Sequence, residues 1–252
     1  MLLAILRRKR KYAAVMLVDR AGPRLEVQTM TDLTNWHGVP APERVAIDGR
    51  YVRLEPLNAD KHGDHLFEAV CGPDAERLHR WLPDKVPEDR NAFQGWLAEK
   101  AASIDPLFFV VLDKATGRVV GRQALMDIST AHGCAEIGHI LWGPGMAGTR
   151  LATEAFFLFA DYVFQLGYRR YQWRCNSRNA PSRKAAERFG YKFEGIFRQN
   201  MIVKGENRDT AWFSIIDSEW ETLREGYLKW LDPENFEQDG GQRITLRQAF
   251  QL

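Results

Sequence analysis

Apolar and polar positions follow two different periods from Tyr51 onward. The segment YVRLEPL alternates, which predicts a β-strand, and residues 59–70 then carry apolar side chains at helical spacing. Residues 92–103 also favour a helix. Residues 107–113 and 118–128 are β-rich runs joined by the turn-forming sequence KATG, which predicts an antiparallel hairpin.

The middle of the chain contains the unit that is most informative about function. Residues 134–142, CAEIGHILW, predict a further strand, and the glycine-rich sequence GPGMAGT follows at 143–149. A long amphipathic helix is then predicted over 150–167, closed by Gly167. The order is therefore strand, glycine-rich loop, helix.

The remaining pattern completes a mixed α/β arrangement. It predicts a strand at 169–175, a helix at 180–190, strands at 191–199 and 209–217, and a last helix at about 218–231. No internal repeat is visible. These elements predict one α/β domain with additional residues at each end.

The ends of the chain differ from this regular region. Residues 1–44 carry no sustained periodicity and are predicted to be a peripheral N-terminal extension, the domain is predicted to span 45–222, and residues 223–252 to form the end of a helix and a tail. The basic run RRKRK at 7–11 leaves two interpretations open. The residues before Met30 are an upstream extension absent from the native protein, or they form a basic arm that contacts RNA or a membrane.

Composition and charge exclude several classes of protein. Lysine and arginine number 35 against 33 acidic residues, so the formal charge of +2 provides no chain-wide attraction to nucleic acid. The three cysteines are far apart, which predicts neither a disulfide framework nor a metal site. No apolar run approaches the roughly 20 residues of a membrane helix, and the N-terminal apolar run precedes its basic cluster, the reverse of an export signal. We expect a cytoplasmic protein.

The glycine-rich loop is the first candidate for chemistry. Gly145, Gly148 and Thr149 stand where a helix N-terminus presents free backbone N–H groups and a positive dipole end, which can bind a pyrophosphate. Neither GxGxxG nor GxxxxGK[ST] occurs, and the preceding strands are predicted to be antiparallel, so neither a Rossmann nor a P-loop unit is indicated. The alternative is that the loop only turns the chain tightly.

Residues 136–199 resemble the GNAT acetyltransferases, especially the branch around the ribosomal-protein N-terminal serine/alanine acetyltransferases. The matching motifs are EIG on the central strand, GTxxxTEA from Gly148, NxxS from Asn179 and FGYKFEG from Phe189. The resemblance extends from about Tyr51 to Trp220. It implies the GNAT fold, a mixed and mostly antiparallel sheet of about six to seven strands, flanked by helices and splayed at its central strands.

The resemblance also implies acetyl-CoA as the acyl donor, with pantetheine along the central strand, pyrophosphate on the loop, and Asn179 near the thiol. The residues so implied are Ile140, Leu141, Trp142, Ala147, Gly148, Thr149, Arg150, Leu151 and Asn179. The loop departs from the family pattern, since Ala147 replaces a basic or amide residue and Arg150 replaces the first motif glycine. Arg150 either bonds the phosphates or reaches solvent.

Catalysis requires a base for the amine and a proton donor for the departing thiolate. The carboxylate proposed as base in this branch corresponds to Met201 here, so Glu136 is the candidate, and its alternative is a structural carboxylate bonded to backbone or to arginine. Ser182 is the candidate donor, with helix capping as its alternative. His139, three residues after Glu136, is expected to face the opposite side of the sheet and to pack there.

The leading hypothesis is an acetyl-CoA-dependent N-acetyltransferase whose acceptor is a primary amine. The amine belongs to a protein N-terminus or to a small molecule such as an antibiotic or a polyamine. Two alternatives keep the fold without catalysis: an acyl-CoA-binding module, and a ribosome- or RNA-associated module that uses the basic arm. Because relatives in this branch pair through their C-terminal strands, a homodimer is also an expectation.

Overall fold

A mixed eight-stranded sheet organises the protein in a computed structural model that describes residues 32–251. The chain divides into two units between His37 and Gly38, and every described helix and strand lies in the second. Of the first unit, residues 32–37 contain a turn in which the Trp36 N–H donates to the Leu33 carbonyl over 2.9 Å. The predicted basic run at 7–11 lies outside the described residues.

The strands run in the order β1-β2-β3-β4-β5-β6-β8-β7, and all neighbours are antiparallel except β5 and β6. Their bounds are β1 Ile47–Asp48, β2 Val52–Pro56, β3 Leu107–Asp113, β4 Arg118–Ser129, β5 Cys134–Trp142, β6 Arg170–Asn176, β7 Lys192–Val203 and β8 Glu206–Ile216. The sheet has one strand more than the pattern predicted, because β1 is too short to show an alternation.

Helices cover both faces of this sheet. They are α1 Ala59–Val70, α2 Ala75–His79, α3 Arg90–Ala102, α4 Arg150–Gln165, α5 Ala180–Arg188, α6 Asp217–Trp230 and α7 Leu246–Ala249, with a 3₁₀ turn at Pro233–Asn235. The first coincides with its predicted span, whereas α2 and α7 are too short to show a helical period. Across residues 32–251, the helices lack the combination of length and apolarity that crossing a membrane requires.

Two apolar layers enclose the sheet. On one face, α4 packs through Phe156, which stacks on Phe189 with ring centroids 4.5 Å apart, and Phe159, which meets Phe109 at 5.1 Å. On the other face, α1 and α3 bury Leu66 and Leu97. Each layer removes a continuous apolar surface from water, which is the main stabilisation of an α/β sandwich.

Glu154 locks α4 to the sheet. Its buried carboxylate accepts the backbone N–H groups of Arg50, Tyr51 and Val52 over 2.8, 2.6 and 2.7 Å. Gly49 is required beside it, because a Cβ there would lie 2.6 Å from the Glu154 Cδ. The glutamate of the TEA sequence therefore holds the start of α4 against the start of β2.

The sheet opens between its two parallel strands. Pairing of β5 with β6 is confined to Cys134 with Arg170, Ala135 with Tyr171 and Glu136 with Gln172. Beyond Glu136 the two strands diverge, while β6 stays paired with β8 along its whole length. The predicted splay is confirmed, and it leaves one edge of β5 from residue 137 onward without a neighbouring strand.

A β-bulge lies on β5 within this opening. Gly138 faces Ala124 of β4 and Leu141 faces Arg122, so two residues of β5 oppose one of β4. His139, inside the bulge, has φ of +49°.

The bulge reverses the alternation of β5. Ile137 belongs to the layer under α4, but Leu141 belongs to the layer under α1 and α3, although strict alternation would put both on one face. The expectation that His139 faces away from Glu136 is therefore wrong: both line the same cavity. An inserted residue changes the face of everything after it, and no alternating pattern reveals it.

Candidate active site

A cavity of about 420 Å³ occupies the opening between β5 and β6. Its walls come from both strands, the start of α5, the segment after α2 and the hairpin of β7 and β8. Glu136 and Ser182 line it together with Ile140, Trp142 and Asn179, so the structure brings the two predicted catalytic residues and three predicted cofactor residues into one space.

Glu136 is only 3% exposed and forms an ion pair through Oε2 with the Nε of Arg174. Arg174 also pairs with Asp127 and lies over the Trp212 ring at 4.8 Å from its centroid. Burial raises the pKa of Glu136 to about 7, outweighing the lowering effect of Arg174. Glu136 therefore pairs with an arginine, as the structural role predicts, and also lines the cavity, as the role of a base predicts.

A carboxyl with a pKa near neutrality is suited to proton transfer, because it is ionised enough to accept a proton and acidic enough to return it. Met201, at the position of the family carboxylate, also lines the cavity and brings no titratable group. Among the described lining residues, Glu136 is the one carboxylate.

His139 presents a neutral imidazole to the same cavity. Burial and the nearby guanidinium of Arg122 lower its pKa to about 4. Its ring packs on Phe108 with centroids 5.0 Å apart, and its Nδ1 lies 3.8 Å from Asp84. The expected packing is present, but on the cavity side of the sheet.

Arg122 holds the bulge from beneath. It is 1% exposed, donates to the His139 carbonyl over 2.8 Å and lies over the Trp96 ring at 4.5 Å. A buried guanidinium is costly unless its donors are satisfied, so Arg122 fixes the position of the carbonyl that it bonds.

The opposite wall begins at the start of α5. Asn179 is the helix cap, since its Oδ1 accepts the Ser182 N–H over 3.2 Å, and the alternative that Ser182 is the cap is therefore wrong. The Ser182 hydroxyl instead accepts from the Trp173 indole N–H over 3.0 Å, which leaves its own proton available for donation. Burial raises the pKa of the adjacent Cys175 thiol, so this wall holds neutral groups.

The glycine-rich loop forms an open helix N-terminus. Thr149 caps α4: its Oγ1 accepts the Leu151 N–H over 3.2 Å and donates to the Met146 carbonyl over 2.7 Å. Gly148 has φ of +79°, with open space around its Cβ position. Within residues 32–251, the backbone N–H groups of Ala147, Gly148 and Arg150 have no backbone or side-chain acceptor. Such an end favours an anion.

Arg150 rests on aromatic rings. Its guanidinium lies 4.6 Å from the Tyr51 ring centroid and 5.5 Å from that of Phe236. A second guanidinium that the pattern did not reveal contacts the first turn of α4, because Arg188 donates to the Thr153 Oγ1 over 3.0 Å. Arg188 lies on another helix, so no local motif could have indicated it.

Ile140, Leu141 and Trp142 follow the bulge along the unpaired edge of β5. Ile140 and Trp142 line the cavity, whereas Leu141 is 2% exposed and points into the layer under α1 and α3. On the side of the opening, β6 does not pair with this stretch, so its backbone has no strand partner there.

Comparison with known proteins decides which family uses this arrangement. Residues 52–192, more than half of the chain, match the acetyltransferase (GNAT) domain. The chain belongs to the GNAT acetyltransferase family. It is therefore an acyltransferase, and its splayed sheet and glycine-rich helix start are the features that the resemblance implied.

Several known proteins are similar to this GNAT protein in sequence or structure. A crystal structure of a GCN5-related N-acetyltransferase from Brucella melitensis is 57% identical, covers 87% of this chain and all of its own, and superposes with a TM-score of 0.86. The uncharacterised N-acetyltransferase p20 of Bacillus licheniformis is 31% identical over 44% of this chain and 63% of its own. YdaF of Bacillus subtilis (strain 168), named provisionally as a ribosomal N-acetyltransferase, is 24% identical over 67% of this chain and 91% of its own.

Proposed function

We propose that this GNAT protein is an acetyl-CoA-dependent N-acetyltransferase that acylates a primary amine by direct attack on the thioester. The observation that carries the proposal is the buried carboxylate of Glu136, which faces Ser182 and Asn179 across the cavity between β5 and β6. Base, donor and an accessible strand edge thus meet in one space, as acyl transfer to an amine requires.

The donor is proposed to lie between the start of α4 and this cavity. The N–H groups of Ala147, Gly148, Arg150 and Leu151 would hold the pyrophosphate, Thr149 would shape the loop, and the backbone of Ile140, Leu141 and Trp142 would hold the pantetheine. The acyl thioester supplies the activated carbonyl. These residues fit the donor because Ala147, Gly148 and Arg150 offer N–H groups without a backbone or side-chain acceptor among the described residues, and β5 offers an unpaired strand edge along the path.

Two proton transfers complete the proposed chemistry. Glu136 accepts the proton that the amine loses as its nitrogen bonds to the carbonyl carbon, and the Ser182 hydroxyl donates to the sulfur as the carbon–sulfur bond breaks. Ser182 is suited to this because its oxygen already accepts from Trp173, an interaction that orients its proton away from the indole. The products are an amide and a free thiol, and the proton taken up by Glu136 then passes through water to the Ser182 oxygen, which returns both groups to their starting states.

Isothermal titration of the full chain with acetyl-CoA tests the proposal. The Gly148→Asp variant places a carboxylate at the proposed pyrophosphate site, and we expect at least a tenfold loss of affinity, because two anions would then share one helix terminus. Gly117→Asp is the matched control: Gly117 also has a positive φ, of +67°, and open space around its Cβ position, but lies in the turn between β3 and β4.

Saturable binding by the wild type and by Gly117→Asp, lost in Gly148→Asp, would support the assignment. The release of free thiol on adding an amine would then support catalysis. A folded wild type that binds no acetyl-CoA would refute the proposal and favour a non-catalytic role for this GNAT domain.

A further inference from the structure

A second cavity adjoins the proposed active site. It has a volume of about 380 Å³ and lies between the C-terminal end of α2, the end of β6 and the hairpin of β7 and β8. Trp81, Asn176 and Arg208 line both this outer cavity and the inner one between β5 and β6, so the two cavities share part of their walls. Arg208 is close enough to Glu136 for its charge to lower the pKa of that carboxyl.

The outer cavity is strongly cationic although the whole chain is nearly neutral. Four of its lining residues carry a positive charge and one, Glu206, carries a negative charge. Glu206 pairs with Arg178 at 3.4 Å, and both side chains are largely exposed, so that pair neutralises one cation. The other three cations have no carboxylate oxygen within 4 Å among the described residues; they are Arg80, Lys204 and Arg208.

Two of these three cations are held at the cavity by another group. Lys204, in the β7–β8 turn, donates to the carbonyl of His79 at the end of α2 over 2.9 Å. Arg80 lies over the Trp81 ring at 5.0 Å from its centroid. The buried Nε of Arg208 has no hydrogen-bond partner, which is a cost that a ligand can relieve. Lys204 and Arg80 are thus held in place without a carboxylate partner, and Arg208 has an N–H group that could donate to a ligand.

The donor's own phosphates do not account for these charges. The proposed pyrophosphate site is the loop at 143–149 and the start of α4, and none of its residues lines the outer cavity. The cations instead border the side of the inner cavity formed by Arg208 and Asn176. The outer cavity is therefore placed for the other substrate.

We infer that the acceptor is an amine carrying an anionic group, a carboxylate or a phosphate, which binds to Arg80, Lys204 and Arg208 while its amine faces Glu136. The inference rests on the proposed function and names its substrate class. Arginine and lysine donors bind such oxyanions through charge-assisted hydrogen bonds, whereas a polyamine or a polycationic antibiotic would be repelled from the same cavity. Of the small-molecule acceptors left open by the sequence, these two classes are disfavoured.

The test is equilibrium binding of matched acceptors to the full chain in the presence of CoA, where no turnover occurs. Three tetrapeptide amides differ only at their second residue, which is Glu, Gln or Lys, and 2-aminoethyl phosphate is compared with ethanolamine. We expect an anionic acceptor to bind about tenfold more tightly than its neutral counterpart and the Lys peptide to bind weakest. The two series show whether a carboxylate or a phosphate is preferred. The preference should shrink as salt increases.

Variants locate the preference. Lys204→Gln and Arg208→Gln should each reduce the tenfold discrimination to threefold or less while leaving CoA affinity unchanged. Arg77→Gln is the control, because Arg77 is on α2 but pairs with Asp74 and lies outside both cavities. Lys204 is a turn residue, so its variant remains informative if Arg208→Gln folds poorly.

Three results would overturn the inference: equal binding of the Glu and Gln peptides, tightest binding of the Lys peptide, or variants that weaken CoA in place of the acceptor. The last would assign the cations to a phosphate of the donor. Absence of acetyl-CoA binding by the wild type would instead refute the proposed function, and acceptor titrations without CoA would still report the charge preference.

Discussion

Replacing Glu136 with glutamine distinguishes a catalytic base from a structural counter-charge when both stability and activity are measured. The variant keeps the size of the side chain and an oxygen that can accept from Arg174, but it cannot accept a proton as a base. Arg174 retains Asp127 as a second partner, so its charge is not left alone. If Glu136 is a catalytic base, the variant should gain stability and lose activity. If it is a structural counter-charge, the variant should lose stability and keep activity.

The magnitude follows from the pKa of Glu136. A rise from 4.5 to about 7 corresponds to about 3 kcal/mol of penalty on the ionised form in the folded state. The folded protein holds this proton more tightly than the unfolded chain, so stability declines as pH rises from about 4.5 to 7 and the deficit is constant above that. Glu136→Gln removes the penalty. We expect it to be more stable than wild type by about 1–3 kcal/mol at pH 8 and by under about 1 kcal/mol at pH 5.

The assays are urea unfolding at both pH values and the pH dependence of kcat/KM. The kcat/KM of the wild type should fall as pH drops below an apparent pKa near 7. In the variant, kcat/KM should be about 10²- to 10⁴-fold lower and should no longer show this pH dependence. Glu187→Gln, an exposed change on α5, is the control for both assays. A variant less stable than wild type by about 3 kcal/mol at pH 8, with its activity retained, would show that Glu136 serves as the counter-charge of Arg174.

Two further outcomes test other parts of the site. Glu154→Gln should lower stability by about 3 kcal/mol, or Tm by roughly 6–12 °C, because an amide cannot accept all three N–H groups; a loss below about 1 kcal/mol in thermal unfolding would contradict the locking role. Ser182→Ala should lower kcat about tenfold with KM for acetyl-CoA unchanged, whereas Asn179→Ala should cost about 1 kcal/mol of stability as a lost helix cap. Equal effects of the two substitutions on kcat would contradict this division of roles.

Periodicity alone determined most of the secondary structure. The helix predicted at 59–70 is α1, and the strand, glycine-rich loop and helix around residues 134–167 are present in the predicted order. These elements are long and carry many apolar residues between turn-forming segments, so a local pattern is enough to indicate them. The resemblance to GNAT proteins, carried by EIG, GTxxxTEA and NxxS, indicated the family through ordered local motifs.

Other features depend on contacts between distant parts of the chain. The bulge that turns His139 toward Glu136 depends on how β5 pairs with β4, and no period in β5 alone contains that information. The lock at Glu154 joins residues about a hundred positions apart. The sequence suggested capping for Ser182 and not for Asn179, and only the bond from the Ser182 N–H to the Asn179 Oδ1 showed that Asn179 is the cap.

The cationic outer cavity is the clearest case of a property decided by tertiary structure. Arg80, Lys204 and Arg208 come from a short helix's end and from a hairpin more than a hundred residues later, and each alone is an ordinary surface cation in a nearly neutral chain. Charge acts through space over distances of several ångströms, whereas a sequence pattern reports only neighbours along the chain. The sequence by itself determined most of the elements and indicated the family; the packing of β7, β8 and α2 beside the splayed strands decided which charges line the outer cavity.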